Sequence, residues 1–459
     1  METTRMTQTS KGFSSPRVAR RALKAMLLGT SLTIVGGCSS LLEVDNPNNV
    51  SSGALDVPAA APAIVNGAIN TGAQAISSLL NAYTIISDET FQTGSRDDYR
   101  LLDTGEIDAN TNEYLQASYL QAMRARWMAE QAISKVSGFD ANGDLLDRQL
   151  LVQAYLMGAV MYDNIANMFD DAAISDRTAS GPNLGEMGMV QLYDSALKWL
   201  DAAEPIATGA NRSNVLAMRA RVKFDRAIWQ KLNPPGATPA DPLVNDAGAT
   251  ADATAALATM SGDYFFDLLT DLNNSGDDAS GGVGFEMNSR VEHTPDSAAF
   301  VRIDLTNKKP AAITAIDPVT GALDPAAVFM INRFIAPDDI NNPPLAQTSQ
   351  REMLLILAEA ALAAGNNAGF DTHINALRAL DNKQPYNGSG PSRLDLLKWE
   401  RRINLVFQGR RLVDMYRFGI TDPRWISTSI AVRKPGCLLP IPRIEREANA
   451  LITGTPVCD

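Results

Sequence analysis

Apolar positions recur every three or four residues along much of the chain. Tyr119, Ala122, Ala125, Ala129, Ile133 and Val136 form one stripe, and Leu151, Tyr155, Gly158, Tyr162, Ile165 and Phe169 a second. Leu192, Ala196, Trp199 (or Leu200) and Ala203 repeat the spacing, as do Val215, Met218, Val222, Trp229 and Leu232. That spacing sets apolar side chains on one face of a helix. Clusters at Ser137-Gly138 with Asn142-Gly143, at Ser180-Gly181-Pro182-Asn183 and at Thr208-Gly209-Ala210-Asn211 read as the turns between them. Residues 57–232 are therefore expected to be successive helices.

The pattern then changes. Residues 233–345 hold 11 of the 24 prolines and the run DLNNSGDDASGGVG, and helical period is mostly lost. Such a zone reads as a functional loop region or an elaborated insertion, with short strands expected around Phe300 to Leu305 and Val328 to Phe334. Period returns in 346–418, where Met353, Leu357, Ala360 (or Ala361) and Ala364 make a narrow face and Ile374, Leu377 and Leu380 the next. Residues 419–459 read as an irregular tail. Small apolar faces on paired helices suggest tight stacking of the tetratricopeptide type, without a strict repeat length. A helical core with no repeat ancestry is the alternative.

The N-terminus has its own signature. Arg17, Arg20, Arg21 and Lys24 precede the apolar stretch AMLLGTSLTIV, of 11 residues. A membrane-crossing helix needs about 20, so this reads as a signal sequence. It ends in Val35-Gly36-Gly37-Cys38, which resembles the lipobox of bacterial lipoproteins: the glycines admit a peptidase, and the Cys38 thiol takes the lipid. Residues 1–37 are expected to be a lipoprotein signal peptide and 38–56 a lipid-anchored tether. Arg20-Arg21 leaves the twin-arginine route open, although its flanks fit general secretion better.

Composition narrows the chemistry. The net charge of −12 disfavours nucleic acid as a partner. A chain starting at Cys38 would carry 34 basic and 51 acidic side chains. Two histidines and three cysteines are too few for a four-ligand structural zinc site. Cys437 and Cys458, 21 residues apart in an exported chain, predict a disulfide closing the tail. Motifs of zinc peptidases, serine hydrolases and nucleotide-binding loops are missing. Asp140-Ala141-Asn142-Gly143-Asp144 imitates the start of a calcium loop, but Leu145 and Leu151 stand where glycine and glutamate belong, so it reads as a turn and helix cap. Asp97-Asp98 and Asp277-Asp278 offer paired carboxylates for glycoside hydrolysis, but adjacent acids in an acidic chain read first as solvated loop charges. No metal, cofactor or catalytic residue is expected.

The most specific segment is 398–419, KWERRINLVFQGRRLVDMYRFG. It resembles the SusD/RagB segment E-R-R-x-E-L-x-F-E-G-x-R-x-x-D-L-x-R-W-G. Asn404, Gln408 and Phe418 stand where that family often has Glu, Glu and Trp. Arg351-Glu352 onward, Ile374 to Arg378, and Pro440-Ile441-Pro442-Arg443-Ile444-Glu445 are similar to the family's preceding helices and its P-x-P-x-x-E ending. Ala450 departs where proline often follows asparagine. The segment itself reads as a core-clamping helix: Leu396, Trp399, Ile403, Val406, Val413 and Tyr416 share a face. Gly409 would sit mid-helix in close packing, and Arg410 and Asp414 could pair at i,i+4.

The resemblance implies a mainly α fold, a degenerate tetratricopeptide-like helical-repeat array with a loop-rich insertion, forming a single domain over 57–459. It implies a lipid-anchored outer-membrane protein, exposed at the cell surface. Such a protein captures an oligosaccharide, or in some members a peptide, for a SusC-like TonB-dependent receptor and does no covalent chemistry. A scaffold or assembly lipoprotein, and an exported glycoside hydrolase, are the rival readings. Capture needs aromatic rings beside polar groups. The candidates are Phe91 and Tyr99, in the loop after the first helix, and Tyr264, Phe265 and Phe266, where the loop zone opens.

Overall fold

A computed structural model of the chain describes residues 52–108, 110–176, 178–270, 281–456 and 458. The expected signal peptide, Cys38, most of the tether and Asp277-Asp278 lie outside the described residues. The first helical zone contains α1 (Ala61–Ile86), β1 (Thr90–Gln92), α2 (Asp97–Asp103), α3 (Glu113–Ala141), α4 (Arg148–Met168), α5 (Val190–Ala203) and α6 (Gly209–Leu232), followed by α7 (Ala247–Leu257). The start signals are local. Asn112 accepts the Tyr114 and Leu115 amides at 3.1 and 3.2 Å to open α3, and Asp147 accepts the Gln149 amide at 2.9 Å to open α4. Asp140, from the calcium-like stretch, is paired with Arg148 at 2.8 Å.

These helices stack in chain order: α1 on α3, α3 on α4, α4 on α5, α5 on α6 and α6 on α7. The apolar stripes explain why. Tyr119, Ala122, Ala125, Ala129 and Val136 of α3 are fully enclosed, and small alanine faces let backbones approach closely. α4 is buried on nearly every side along its second half, as a helix between two neighbours must be.

The chain leaves this stack after α7 and returns at α9 (Gln350–Ala363), which packs on α7. The excursion contains β2 (Phe265–Leu268), β3 (His293–Pro295), β4 (Val301–Ile303), β5 (Pro310–Ile313), α8 (Pro325–Ile335) and β6 (Leu345–Ser349). Its two ends are zipped together: β2 and β6 pair antiparallel with Phe265 opposite Ser349 and Leu268 opposite Leu345. β4 and β5 form a hairpin, and β3 pairs antiparallel with β1, so the excursion reaches back to the loop after α1. A strand at 301–303 matches expectation, whereas 328–334 is helix. Asp324 caps α8 by accepting the Ala326 amide at 2.9 Å, Pro325 opens it, and Ala326, Ala327, Met330, Ile331 and Phe334 bury one helical face. The β-branched residues of that segment mask the period on a first reading.

α10 (Asn367–Ala379) and α11 (Arg393–Asn404) complete a second core with α9, built on Leu355, Ala358, Phe370, Ile374, Leu396 and Leu397. The segment 398–419 is two helices rather than one. α11 ends at Asn404, and α12 (Arg411–Phe418) follows a break in which Phe407 and Gly409 are left-handed, with φ of +58° and +71°. Gly409 is thus a turn residue. The close packing is real, because a Cβ there would overlap the Met168 methyl. The tail, with α13 (Ile430–Arg433) and α14 (Arg443–Ala448), returns to the end of α4: Leu439 and Met168, then Asp170 and Leu439, exchange backbone hydrogen bonds of 3.0 Å. Cys437 and Cys458 are joined by a disulfide with their Cα atoms 5.6 Å apart. No helix among the described residues is long and apolar enough to cross a membrane.

Candidate functional site

The loop after α1 is fixed from below by the C-terminal helices. Asp88 has a φ of +55°, a conformation aspartate tolerates better than most residues. Arg411 grips its carboxylate with two bonds, 2.7 and 2.9 Å, and Arg402 adds a third at 3.1 Å. Burial acts to raise the Asp88 pKa, but Arg411, then Arg402 and Arg424, outweigh it and hold the carboxyl below its usual range. Its neighbour Glu89 is pushed up to about 8 by burial, against the Phe407 N–H that donates to it at 2.9 Å. The left-handed turn at Phe407 thereby docks on the loop.

From Asp88 the chain runs into β1, with Phe91 opposite Thr294 and Gln92 opposite His293 of β3. The next residues wrap Glu292. Thr93 and Gly94 donate to its carbonyl at 2.9 and 3.0 Å, and Ser95 and Arg96 donate to its carboxylate at 2.8 and 3.2 Å. Gly94 is required there, because any Cβ would overlap the Glu292 carboxylate.

Above this platform opens a cavity of about 680 Å³. Its walls are Phe91, Gln92 and Thr93 on one side and Ser297, Val301, Arg302, Ile303, Leu305, Lys308 and Thr314 on the other. Phe91 is half-buried, and the Arg424 guanidinium lies 5.6 Å from its ring centre. Arg424 is itself held by Asp422, Asp103 and Asp296 at 2.6, 3.0 and 3.1 Å. Lys308, left-handed at the hairpin turn, donates to the Thr93 carbonyl and closes one end. The cavity thus offers one aromatic face, several hydroxyl and amide groups, and two exposed cations.

The other candidates stand elsewhere. Tyr99 is only 1% exposed. Its ring is enclosed by Tyr114, at 4.2 Å between centres, and by the edge of His293, at 5.8 Å, so it braces the platform and presents no face to a ligand. His293 is fully buried, and that burial holds its pKa down at about 3, so it stays neutral. Tyr264, Phe265 and Phe266 line a second cavity, of about 460 Å³, between β2 and the starts of α4 and α6. There the Tyr264 hydroxyl hydrogen-bonds the Asn214 side-chain oxygen at 2.6 Å, and Arg333 stacks 4.0 Å from the Phe265 ring. The polar wall of the first cavity, Arg302, Lys308, Ser297 and Thr314, lies in the zone without period. A turn cluster at Thr306-Asn307-Lys308-Lys309 between two apolar pairs was the only local signal for it.

The motif arginines are core clamps. Arg401 and Arg417 share Asp414 at 2.8 Å each, and Arg417 also bonds Glu359 at 3.0 Å. Arg410 does not pair with Asp414; it reaches Glu352 at 3.4 Å and Asp163 and Asp225 at 3.8 Å. Burial, opposed by Arg221 and Arg401, pushes Glu352 up to about 7. Asn404, a departure from the resembled segment, accepts from Arg351 at 2.7 Å and donates to the buried Glu400 at 3.1 Å. A second carboxylate in its place would face Glu400 across that distance.

Fold and site together define a helical-repeat protein whose C-terminal clamp holds a surface cavity built from an early loop and a late excursion. That architecture is SusD-like in fold, and the sequence model of the SusD family matches residues 330–453, the second core and the clamp. A SusD superfamily protein from Bacteroides thetaiotaomicron VPI-5482 superposes with a TM-score of 0.61 at 14% identity, over 87% of this chain and 100% of its own. A SusD homolog from the same organism gives 0.59 at 13%, over 88% and 97%. A laminarin binding SusD-like protein gives 0.54 at 16%, over 87% and 99%. At these identities the likeness is one of fold. No curated protein matches the chain.

Proposed function

We propose that this protein is an outer-membrane surface lipoprotein that captures an oligosaccharide and hands it to a SusC-like TonB-dependent transporter, without covalent chemistry. The observation that carries the reading is the cavity beside Phe91. It sets a half-buried ring among hydroxyl and amide groups, on a platform that the fold's own clamp makes rigid. Sugar rings need that pairing of an apolar face with polar neighbours. A laminarin binding protein shares the fold, which supports a glycan over a peptide. The lipobox at Cys38 supports anchoring.

Calorimetry on purified protein with laminarin oligosaccharides, other glycans and peptides tests the capture. Phe91→Ala should weaken glycan binding by about tenfold or more, the loss expected for one stacked ring. Glycan binding that Phe91→Ala leaves unchanged overturns the site, and hydrolysis at enzymatic rates overturns capture without chemistry. Cys38→Ala should release the protein from the membrane fraction. Capture of a TonB-dependent receptor by the tagged wild-type protein tests the partner.

A further inference from the structure

The cavity has a sign. The chain carries 52 acidic against 40 basic side chains, yet none of the ten residues lining this cavity is acidic and two are cationic. Most cations around it are already matched. Arg290 meets Glu292 at 3.6 Å, and Arg424 is surrounded by three carboxylates. Arg302, exposed on β4, has no carboxylate within ion-pair distance among the described residues, and Lys308 spends its ammonium on a neutral carbonyl. Asp304 lies on the same hairpin but off the cavity wall, its carboxylate accepting the Thr306 amide at 2.8 Å.

We propose that the captured oligosaccharide is anionic, bearing carboxylate or sulfate groups that Arg302 and Lys308 receive while a sugar ring lies against Phe91. The proposal rests on the glycan-capture reading and adds the ligand's charge to it. A guanidinium fork matches both anions with two parallel bonds, which a neutral hydroxyl does not exploit. Two unmatched cations on one wall of a cavity without acids, in an otherwise acidic protein, concentrate an anion at that place. The acids beneath the cavity, Asp88, Asp103, Asp296 and Asp422, face Arg424, Arg402 and Arg411, which offset most of their charge.

The experiment is calorimetry of the full soluble chain with four probes: oligogalacturonide, chondroitin sulfate oligosaccharide, neutral laminarin oligosaccharide and an acidic peptide. The expected result is at least about tenfold tighter binding of a carboxylated or sulfated oligosaccharide than of the neutral one, weakened by salt. The two charged probes tell which anion is preferred. Arg302→Gln should remove about tenfold of that binding, a larger loss than it causes for laminarin, and leave the far-ultraviolet spectrum unchanged. Arg290→Gln, outside the cavity, should change neither. Equal or tighter binding of the neutral glycan overturns the charge proposal and leaves capture standing. Binding of no saccharide, or of the acidic peptide alone, overturns both.

Discussion

Gly409 tests whether the break between α11 and α12 is what holds the clamp in place. Two effects oppose a side chain there. Its φ of +71° lies in the left-handed region, which costs a non-glycine residue about 1–2 kcal/mol. A Cβ would also meet the methyl of Met168, which is fully buried, and would touch Leu80 at 3.8 Å, so the Met168 side chain must repack within the core to admit it. Overpacking of that kind costs about 1–3 kcal/mol. Gly409→Ala should therefore lose about 1–4.5 kcal/mol net in urea unfolding followed by circular dichroism, once its smaller unfolded-state entropy is set against the two costs. A smaller unfolded-state entropy returns about 0.4–1 kcal/mol to alanine in any background. Met168→Ala removes the obstacle at the expense of a cavity, itself about 2–5 kcal/mol. In that background Gly409→Ala should cost only the backbone part. The double-mutant cycle then gives a favourable coupling of about 1–3 kcal/mol. Equal costs in both backgrounds refute the steric argument, and a cost below about 0.5 kcal/mol in the wild type refutes the left-handed turn itself.

Other consequences are as direct. Asp88→Asn leaves Arg411 and Arg402 buried without their shared carboxylate and should destabilise by about 3–5 kcal/mol in the same assay; Asp140→Asn, which loses only the exposed Arg148 as partner, should move the midpoint little. Glu89, with a folded pKa of about 8 against an ordinary 4.5, is favoured in its neutral form. Its contribution is complete below about pH 4.5 and is lost as pH rises toward 8, by at most about 5 kcal/mol. Glu352, raised to about 7, acts in the same direction. Glu89→Gln should therefore flatten the fall in stability between pH 5 and 8, and an unchanged slope refutes the assignment. Reducing the Cys437–Cys458 disulfide, which closes a 21-residue separation, should cost about 3 kcal/mol by loop entropy, read as the difference in unfolding free energy with and without reductant.

The helices were legible wherever a single face repeats over several turns. The stripes of α3, α4 and α6 are buried as their spacing requires, apart from the half-buried Tyr155. Legibility failed where two signals compete. In 328–334 a run of apolar and β-branched residues looks like a strand, while the decisive feature, the Asp324-Pro325 start, lies just upstream. In 405–410 apolar spacing carries straight through a helix break, because Phe407 and Gly409 turn the backbone and still deliver buried side chains on either side. The i,i+4 relation of Arg410 to Asp414 survives as a backbone hydrogen bond at 3.4 Å, while the side chains part, Arg410 to Glu352 and Asp414 to Arg401.

The site shows why the rest was hidden. Phe91 was readable as a ring in a polar loop, but what makes it a wall of a cavity is a hairpin about 210 residues later, brought there by β1–β3 pairing and by Glu292. Asp88 gave no sign of importance in sequence, since its partners lie 314 and 323 residues away. The arginine-rich segment that carries the family resemblance is more than a core clamp in its consequence. It fixes the conformation of the loop on which Phe91 stands, through Asp88 and through the Phe407 amide on Glu89. A foundation buried in the C-terminal half leaves the cavity wall to be built from hairpin residues outside that clamp, and Arg302 and Lys308 are of that kind, Lys308 reaching only the Thr93 carbonyl. On the capture proposal, ligand choice can then change at β4 and β5 while the fold is held by ion pairs outside the cavity wall.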